Sequence, residues 1–332
     1  MAKKPTPKLT VVKTGLAKHT ISVVGAETLL GREIRDVIAT RHLPYRVHLM
    51  GAAAVAAELP KNEDDEVTLV MPIDEALLAE SELTILAEVP PLKIWERCPY
   101  VVDATGTLAH QPRKVQPIEH AVASAVASFL MTVHRANPVH ASVIQAFVPA
   151  SEAGQVGVAE MQKQAVSLLS FRGLPIDIFD TQVAFNMTPR YGSEAKIDLG
   201  ALEHRIRLGL TTLLAVAGNP PAPSFRLSHS PVFHGYSLSA WVEFHNPADA
   251  KKLSKALSEA GADVRGGDVE PPSTTGVAGE RAYAVGAIEG DSHNPKACWF
   301  WIAADAIRIA AENAVDVVEE YLRNQPYLGA IQ

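Results

Sequence analysis

The chain has only two cysteines, Cys98 and Cys298, and they stand far apart in sequence. That excludes a disulfide framework and any Cys-x-x-Cys redox or zinc motif, and makes a reducing cytoplasm the default setting. No apolar run approaches the roughly 20 residues needed to cross a bilayer. A formal charge of -7 argues against nucleic acid as the main partner, because neutralising phosphates requires a concentrated basic face. The only locally basic stretch is N-terminal, with Lys3, Lys4, Lys8, Lys13 and Lys18. It lacks an apolar core followed by a cleavage site, so residues 1–19 read as a solvated, mobile tail rather than a signal peptide. His229, His234 and His245 lack paired Cys or carboxylate ligands at metal-site spacing, and no metal is expected.

What is present is the composition of a globular protein. Hydrophobic residues make up 47% and charged residues 20% of the 332 positions, which excludes a disordered or fibrous chain. Single cores stop growing near roughly 250 residues, so two domains are expected.

Up to about residue 106, apolar strand candidates alternate with helical segments. The strands are Ile21 to Val24, "YRVHLMG", "EVTLVMP", "LTILAEV" and "YVVDATG", with "GREIRDVIATRHL" and "IDEALLAESE" as helices between them. That alternation predicts a parallel sheet with helical crossovers. The run "PKNEDDE" reads as a solvated turn. A small-residue helix, "IEHAVASAVASFLMTVHR", suits a buried position at a domain junction. Beyond it, strands and helices stop alternating, which predicts a mixed or antiparallel second sheet. In "NPADAKKLSKALSEAGA", Asn246 is a candidate N-cap with Pro247 at the first helical position.

The stretch "ISVVGAETLLGREI" runs from a buried strand through a tight turn into a helix, the place of a dinucleotide-binding fingerprint. Gly25 and Gly31 are there, but Glu27 and Thr28 stand where the middle glycine would be. Thr28 puts a side chain where backbone should approach a phosphate, and Glu27 adds a negative charge beside it. Both glycines also have a reading that needs no ligand, since the turn and the helix packing require them.

Six motifs in register resemble the aspartate-semialdehyde dehydrogenase family along nearly the whole chain from about residue 20. "SVVGAETLLGRE" resembles the family's "GATGxVGxE", "VVDATG" its "VIDNS", and "VIQAF" its "TYQA". "QVAFNMTP" is similar to "AFNxxP", "SPVFHGYSLSAWVEF" to "VPVxxGHSxxVxxEF", and "DAIRIAAENAVDVVEE" to "DNLRKGAAxNAVQIAE". The resemblance implies a Rossmann-like parallel-sheet nucleotide-binding domain, residues 20–122 with 303–332, and an α+β dimerisation and substrate domain with a mixed sheet, residues 123–302. It implies a homodimer, NADP as cofactor, and NADP-dependent reductive dephosphorylation of aspartyl phosphate to the semialdehyde. That reaction runs through a thioester on a cysteine at the start of the junction helix, with a histidine base and arginine clamps.

Carried over by position, those groups are missing. The nucleophile should fall within Ile118 to Ala121, where no cysteine lies. Tyr236 replaces the base, His229 the carboxylate-binding arginine, and Ala109 the phosphate-binding arginine. The segment after the second strand, "MGAAAVAAE", offers nothing to clamp a 2′-phosphate. Gln145, Tyr236 and His229 are left at family active-site positions, and Gly25, Ala26, Gly31 and Asn313 at cofactor positions. Gln145 could equally satisfy backbone groups at the domain junction, and Asn186 and Pro189 could simply shape a turn. Ser124 and Ser128 with His120 are weighed as a substitute nucleophile, but no nucleophile elbow surrounds them. The expectation is a catalytically incomplete member acting through binding, as a homodimer, as partner of an active dehydrogenase, or as a sensor of a small anionic metabolite. The alternative is an oxidoreductase that transfers hydride directly, with Tyr236 as proton donor.

Overall fold

A computed structural model describes residues 19–51, 70–90, 93–108, 110–112, 114–216 and 218–324. The basic tail, "PKNEDDE", residues 52–58 of the "MGAAAVAAE" segment, residues 66–69 of a predicted strand, and Ala109 lie outside the described residues.

The apolar run ending in Val24 forms β1 (His19–Val24), whose last four residues are all buried. A strand buried on both faces belongs at the centre of a parallel sheet. It pairs in parallel with β2 (Tyr45–Gly51) and β4 (Leu83–Leu86). With β3 (Met71–Pro72), β5 (Val101–Asp103) and β6 (Val115–Pro117) the order is β3-β2-β1-β4-β5-β6, all parallel. The order reverses between β1 and β4, and such a reversal opens a crevice at the carboxyl ends of the strands.

Helix α1 (Leu29–Thr40) buries Ile34, Val37 and Ile38 on this sheet, and α2 (Glu75–Glu80) lies in the next crossover. The last helix, α7 (Ala306–Asn324), places Ala311, Ala314, Val315 and Val318 in the same core cluster as Ile21 and Val23. Charge also joins α1 to α7. Arg41 donates to Asp316 and Glu319, each at 2.7 Å, and to Glu312. Arg308 reaches Glu33 at 2.9 Å and Asp36 at 2.8 Å, and pairs with Glu312 at 2.9 Å. Glu312 is 4% exposed, so without these arginines its charge would be buried alone.

The second sheet has the order β10-β11-β12-β9-β7-β8. Its strands are β7 (Val139–Val148), β8 (Ser224–His229), β9 (Tyr236–Phe244), β10 (Asp263–Arg265), β11 (Ala284–Gly290) and β12 (Ala297–Ala304). β8 and β9 follow one another in sequence but do not pair. β7 lies between them, parallel to β8 and antiparallel to β9, so the sheet is mixed. Alternation along the strands sends Ile144, Ala146, Leu238, Ala240 and Val242 into one core. There they meet α3 (Ala121–Ala136), α5 (Leu199–Leu214) and α6 (Ala250–Glu259), with Phe129 edge-on to Phe300 at 5.0 Å. The opposite face shows Val143 and Trp299, and Phe147 lies 6.0 Å from Trp301.

One expectation fails at α6. The helix starts at Ala250, and Asp249 is its N-cap, accepting from Lys251 N at 3.0 Å and Lys252 N at 3.2 Å. Asn246 is drawn away to Asn137, whose Oδ1 accepts from Asn246 Nδ2 at 3.2 Å. A tertiary hydrogen bond thus takes the residue that local sequence nominates as the cap.

On α4 (Gly154–Leu169), two buried polar residues organise a turn-rich segment. Glu160 accepts from Ile178 N at 2.7 Å and Phe179 N at 3.0 Å. Gln164 accepts from Val183 N and Ala184 N and donates to Pro175 O and Thr181 O. These four bonds satisfy every polar position of a fully buried amide. They also fix the entry to "AFNMTP", in which Asn186 Nδ2 donates to Gln182 O at 2.9 Å. Asn186 therefore shapes a turn.

Candidate active-site cleft

A cleft of about 250 Å³ opens at the carboxyl ends of the parallel strands, beside the start of α3. Ala104, Thr105 and Thr107 after β5 form one wall, and Glu152, just after β7, and Arg205, on α5, reach in from the other side. Leu30, Ala121 and Ala306 also line it, so α1, α3 and α7 all begin there.

Helix N-termini facing a crevice are ready-made anion sites, because their first amides have no partner within the helix. Here one of the chain's own side chains caps each one, taking one or two of its amides. Thr28 Oγ1 accepts from Gly31 N at 3.0 Å and donates to Gly25 O at 2.7 Å. His120 Nδ1 accepts from Val122 N at 3.2 Å. Asp305 Oδ1 accepts from Ile307 N and Arg308 N, each at 3.1 Å. After β5, the buried Asp103 gathers the amides of Thr105, Thr107 and Leu108 at 2.7–3.0 Å. The amides of the glycine turn are also engaged: Gly25 N and Ala26 N both donate to Met50 O, at 2.8 and 3.0 Å.

Glu152 forms the centre of the cleft. Tyr236 OH donates to its Oε2 at 2.6 Å. His120 uses Nδ1 as an acceptor for the α3 cap, so the proton on Nε2 faces Glu152 Oε1 at 3.2 Å. Arg205 Nη2 lies 3.7 Å from the same oxygen, and Arg205 Nη1 donates to Thr105 O at 3.3 Å. Burial works to raise the Glu152 pKa, but His120, Tyr236 and Arg205 outweigh it and hold the carboxyl below its usual range. Burial and then the Glu152 charge push the Tyr236 phenol well above its usual value. Tyr236 is therefore a committed donor, and Glu152 an anion with both oxygens engaged.

Of the residues named from sequence, Tyr236 joins this network. Gln145 does not: it lies in the middle of β7 and donates to Ser228 Oγ at 3.2 Å and Ala146 O at 3.3 Å. His229 is fully buried, its Nδ1 3.1 Å from Tyr191 OH. Burial lowers its pKa to about 4, leaving a neutral ring rather than the charge of an arginine. Gly25 has φ 78°, and a β-carbon there would lie 2.7 Å from Glu88 Cβ. One on Gly31 would overlap Gly25 O, so the helix packs against the turn only without it. Glu27 folds its carboxylate against Gly51 at the end of β2, where a β-carbon would overlap it. Asn313, Ser124 and Ser128 line a different cavity. Cys98 and Cys298 are buried away from the cleft, and burial pushes both thiols up. His245 packs against His140 at 5.0 Å.

Sequence reasoning missed Glu152 and Arg205. Glu152 sits in the unremarkable "PASEAG", and Arg205 is one charge on an amphipathic helix. Only the meeting of α3, α4, α5 and β9 gives either a role.

A parallel sheet of this order with a cleft at its switch point, joined to a mixed sheet, defines a Rossmann-like oxidoreductase architecture. The chain belongs to the semialdehyde dehydrogenase family: residues 131–309 match that family's dimerisation domain. It is 26% identical over 335 residues to the aspartate-semialdehyde dehydrogenase of Rickettsia bellii, covering 92% of this chain and 98% of that one. It is also 26% identical over 324 residues to a USG-1 protein homolog of Pseudomonas aeruginosa, covering 89% and 95%. The structure of a probable aspartate-semialdehyde dehydrogenase from Pseudomonas aeruginosa shares the fold, with TM-score 0.79 at 23% identity, covering 92% of this chain and 99% of that one. Among the described residues, no helix is long and apolar enough to cross a membrane.

Proposed function

We propose that this chain is a family member without the thioester reaction, acting through binding and self-association. The observation that carries this is the Glu152 network. Where the family reaction needs a thiolate, the wall is Ala121 beside a partly buried carboxylate held by His120, Tyr236 and Arg205. A carboxylate so held is not a nucleophile, and neither cysteine reaches the cleft.

The residues present do not fit NADP. Phosphates need open amides at the turn and helix start, and Thr28 takes that of Gly31 while Met50 O takes those of Gly25 and Ala26. Glu27 lies at the end of β2, where a dinucleotide ribose is normally held. Direct hydride transfer gains no support either, since the Tyr236 proton is committed to Glu152. Self-association is assigned to the outer face of the second sheet, where Val143 is 51% and Trp299 45% exposed. Glu152, His120, Tyr236 and Arg205 are engaged with one another in the cleft, which favours a second copy of this chain as the partner.

The test is phosphate- and NADP-dependent oxidation of aspartate semialdehyde by the purified protein, followed by NADPH absorbance. No turnover above background is expected. A rate of about 1 s⁻¹ or more, ordinary for enzymes, overturns the proposal.

A further inference from the structure

Ser124, Ser128 and Asn313 come together in a place that the dehydrogenase chemistry does not use. They line a second cavity of about 320 Å³, further along α3 and α7 than the cleft. The turn after α6 closes it with Ala260, Gly261 and Ala262, and Arg281 and Tyr283 complete the wall. Its volume falls at the small end of ligand sites, which run from about 300 to 1,000 Å³.

The polar groups here are predominantly donors. The Ser124 hydroxyl and the Asn313 amide make no hydrogen bond to the described residues, in contrast to the fully used Gln164. Asp316 holds Arg281 through Nη2 at 3.0 Å, which orients the guanidinium at the rim and leaves Nη1 without a hydrogen bond among the described residues. Burial pushes the Tyr283 phenol up to about 12, with its hydrogen bond to Ser128 and the Arg135 charge opposing, so it lines the wall as a neutral hydroxyl. The backbone donors of the neighbouring turn are already used, with Gly261 N bonded to Ser258 O and Ala262 N to Leu257 O. The walls between these groups are Ala125, Ala282 and Ile309, which suit a short hydrocarbon body.

The geometry points to a binding site for a small carboxylate, with its oxygens received by Arg281, Asn313 and Ser124 and its short chain laid against the alanines. One lining arginine whose fork is held in place by Asp316, with hydroxyl and amide groups of Ser124 and Asn313 beside it, is a carboxylate-recognition chemistry. The inference does not depend on the cleft being inactive, because it shares no lining residue with it.

The test is calorimetric titration of the full chain with acetate, butyrate, succinate and glutarate, with butyramide and succinamide as neutral controls. At least one acid should bind saturably and at least tenfold more tightly than its amide. Arg281→Gln and Ser124→Ala should each weaken that binding at least tenfold while retaining the wild-type circular dichroism spectrum. Glu152→Gln, in the other cleft, should leave it unchanged. The inference is overturned if no acid binds saturably up to about 10 mM, if acid and amide bind alike, or if Glu152→Gln abolishes binding while Ser124→Ala does not. If instead the dehydrogenase assay gave turnover, the functional proposal would fail and this site would stand.

Discussion

Replacing Glu152 with alanine should destabilise the fold severely, and the structure gives the size of the effect. Tyr236 is 1% exposed, so its hydroxyl has no water to turn to when Glu152 is gone. An unsatisfied buried donor costs roughly 1–3 kcal/mol, and each hydrogen bond to a charged group contributes roughly 1.5–3 kcal/mol. Two such bonds end on Glu152, from Tyr236 and His120. Allowing for overlap between these terms, Glu152→Ala should cost about 3–5 kcal/mol, the range for breaking a buried charged pair. Glu152→Gln keeps one carbonyl acceptor and should cost about 1–2 kcal/mol. Urea titration with a common m-value measures both. The carboxyl's folded pKa is depressed, so its contribution is full above the unfolded value near pH 4.5 and is lost as pH falls through the folded one. The stability gap between wild type and Glu152→Gln should therefore shrink in acid. A Glu152→Ala protein within about 0.5 kcal/mol of wild type, or a gap that widens on acidification, would refute the network.

Three further outcomes follow from the same structure. Gly31→Ala places a β-carbon into Gly25 O and should cost more than about 3 kcal/mol, read as loss of soluble protein or a lowered thermal midpoint. Arg41→Ala leaves Glu312 with Arg308 and the more distant Arg281 and should cost about 2–4 kcal/mol, whereas a change inside measurement error would mean that the α1–α7 seam does not depend on charge. The His229 ring should stay neutral in NMR titrations until about pH 4, against a usual 6.5. Because its folded pKa is lowered, His229 favours unfolding progressively as pH falls from about 6.5 to about 4, and a ring titrating at its usual value would show that it is not held as described.

The architecture was largely legible in the sequence, the occupancy of the site much less so. Ile21 to Val24 could only be a central strand, because buried apolar runs without alternation belong to parallel sheets. Losses at the family positions could be counted residue by residue. What replaced them could not. Thr28 looked like an obstruction to phosphate and is the cap of α1. Asn246 looked like a cap and is tied to Asn137. Glu152 carried no signal, since a glutamate between Ser151 and Ala153 acquires its partners only from α3, α5 and β9. Local rules act over three or four residues, and all these outcomes were decided by groups far apart in the chain.

If the nucleotide site is lost, as proposed, the self-capped helix starts make that loss hard to reverse one step at a time. Each cap is tethered beside its amides and competes at an effective concentration that a dissolved phosphate does not approach. Removing one of them, at Thr28 or His120, costs about 1 kcal/mol of helix stability while the other still holds its amide. No single substitution returns a ligand's worth of binding to offset that cost. Along that path each loosened cap costs stability before any phosphate is held, so on the proposed reading the first steps back run uphill.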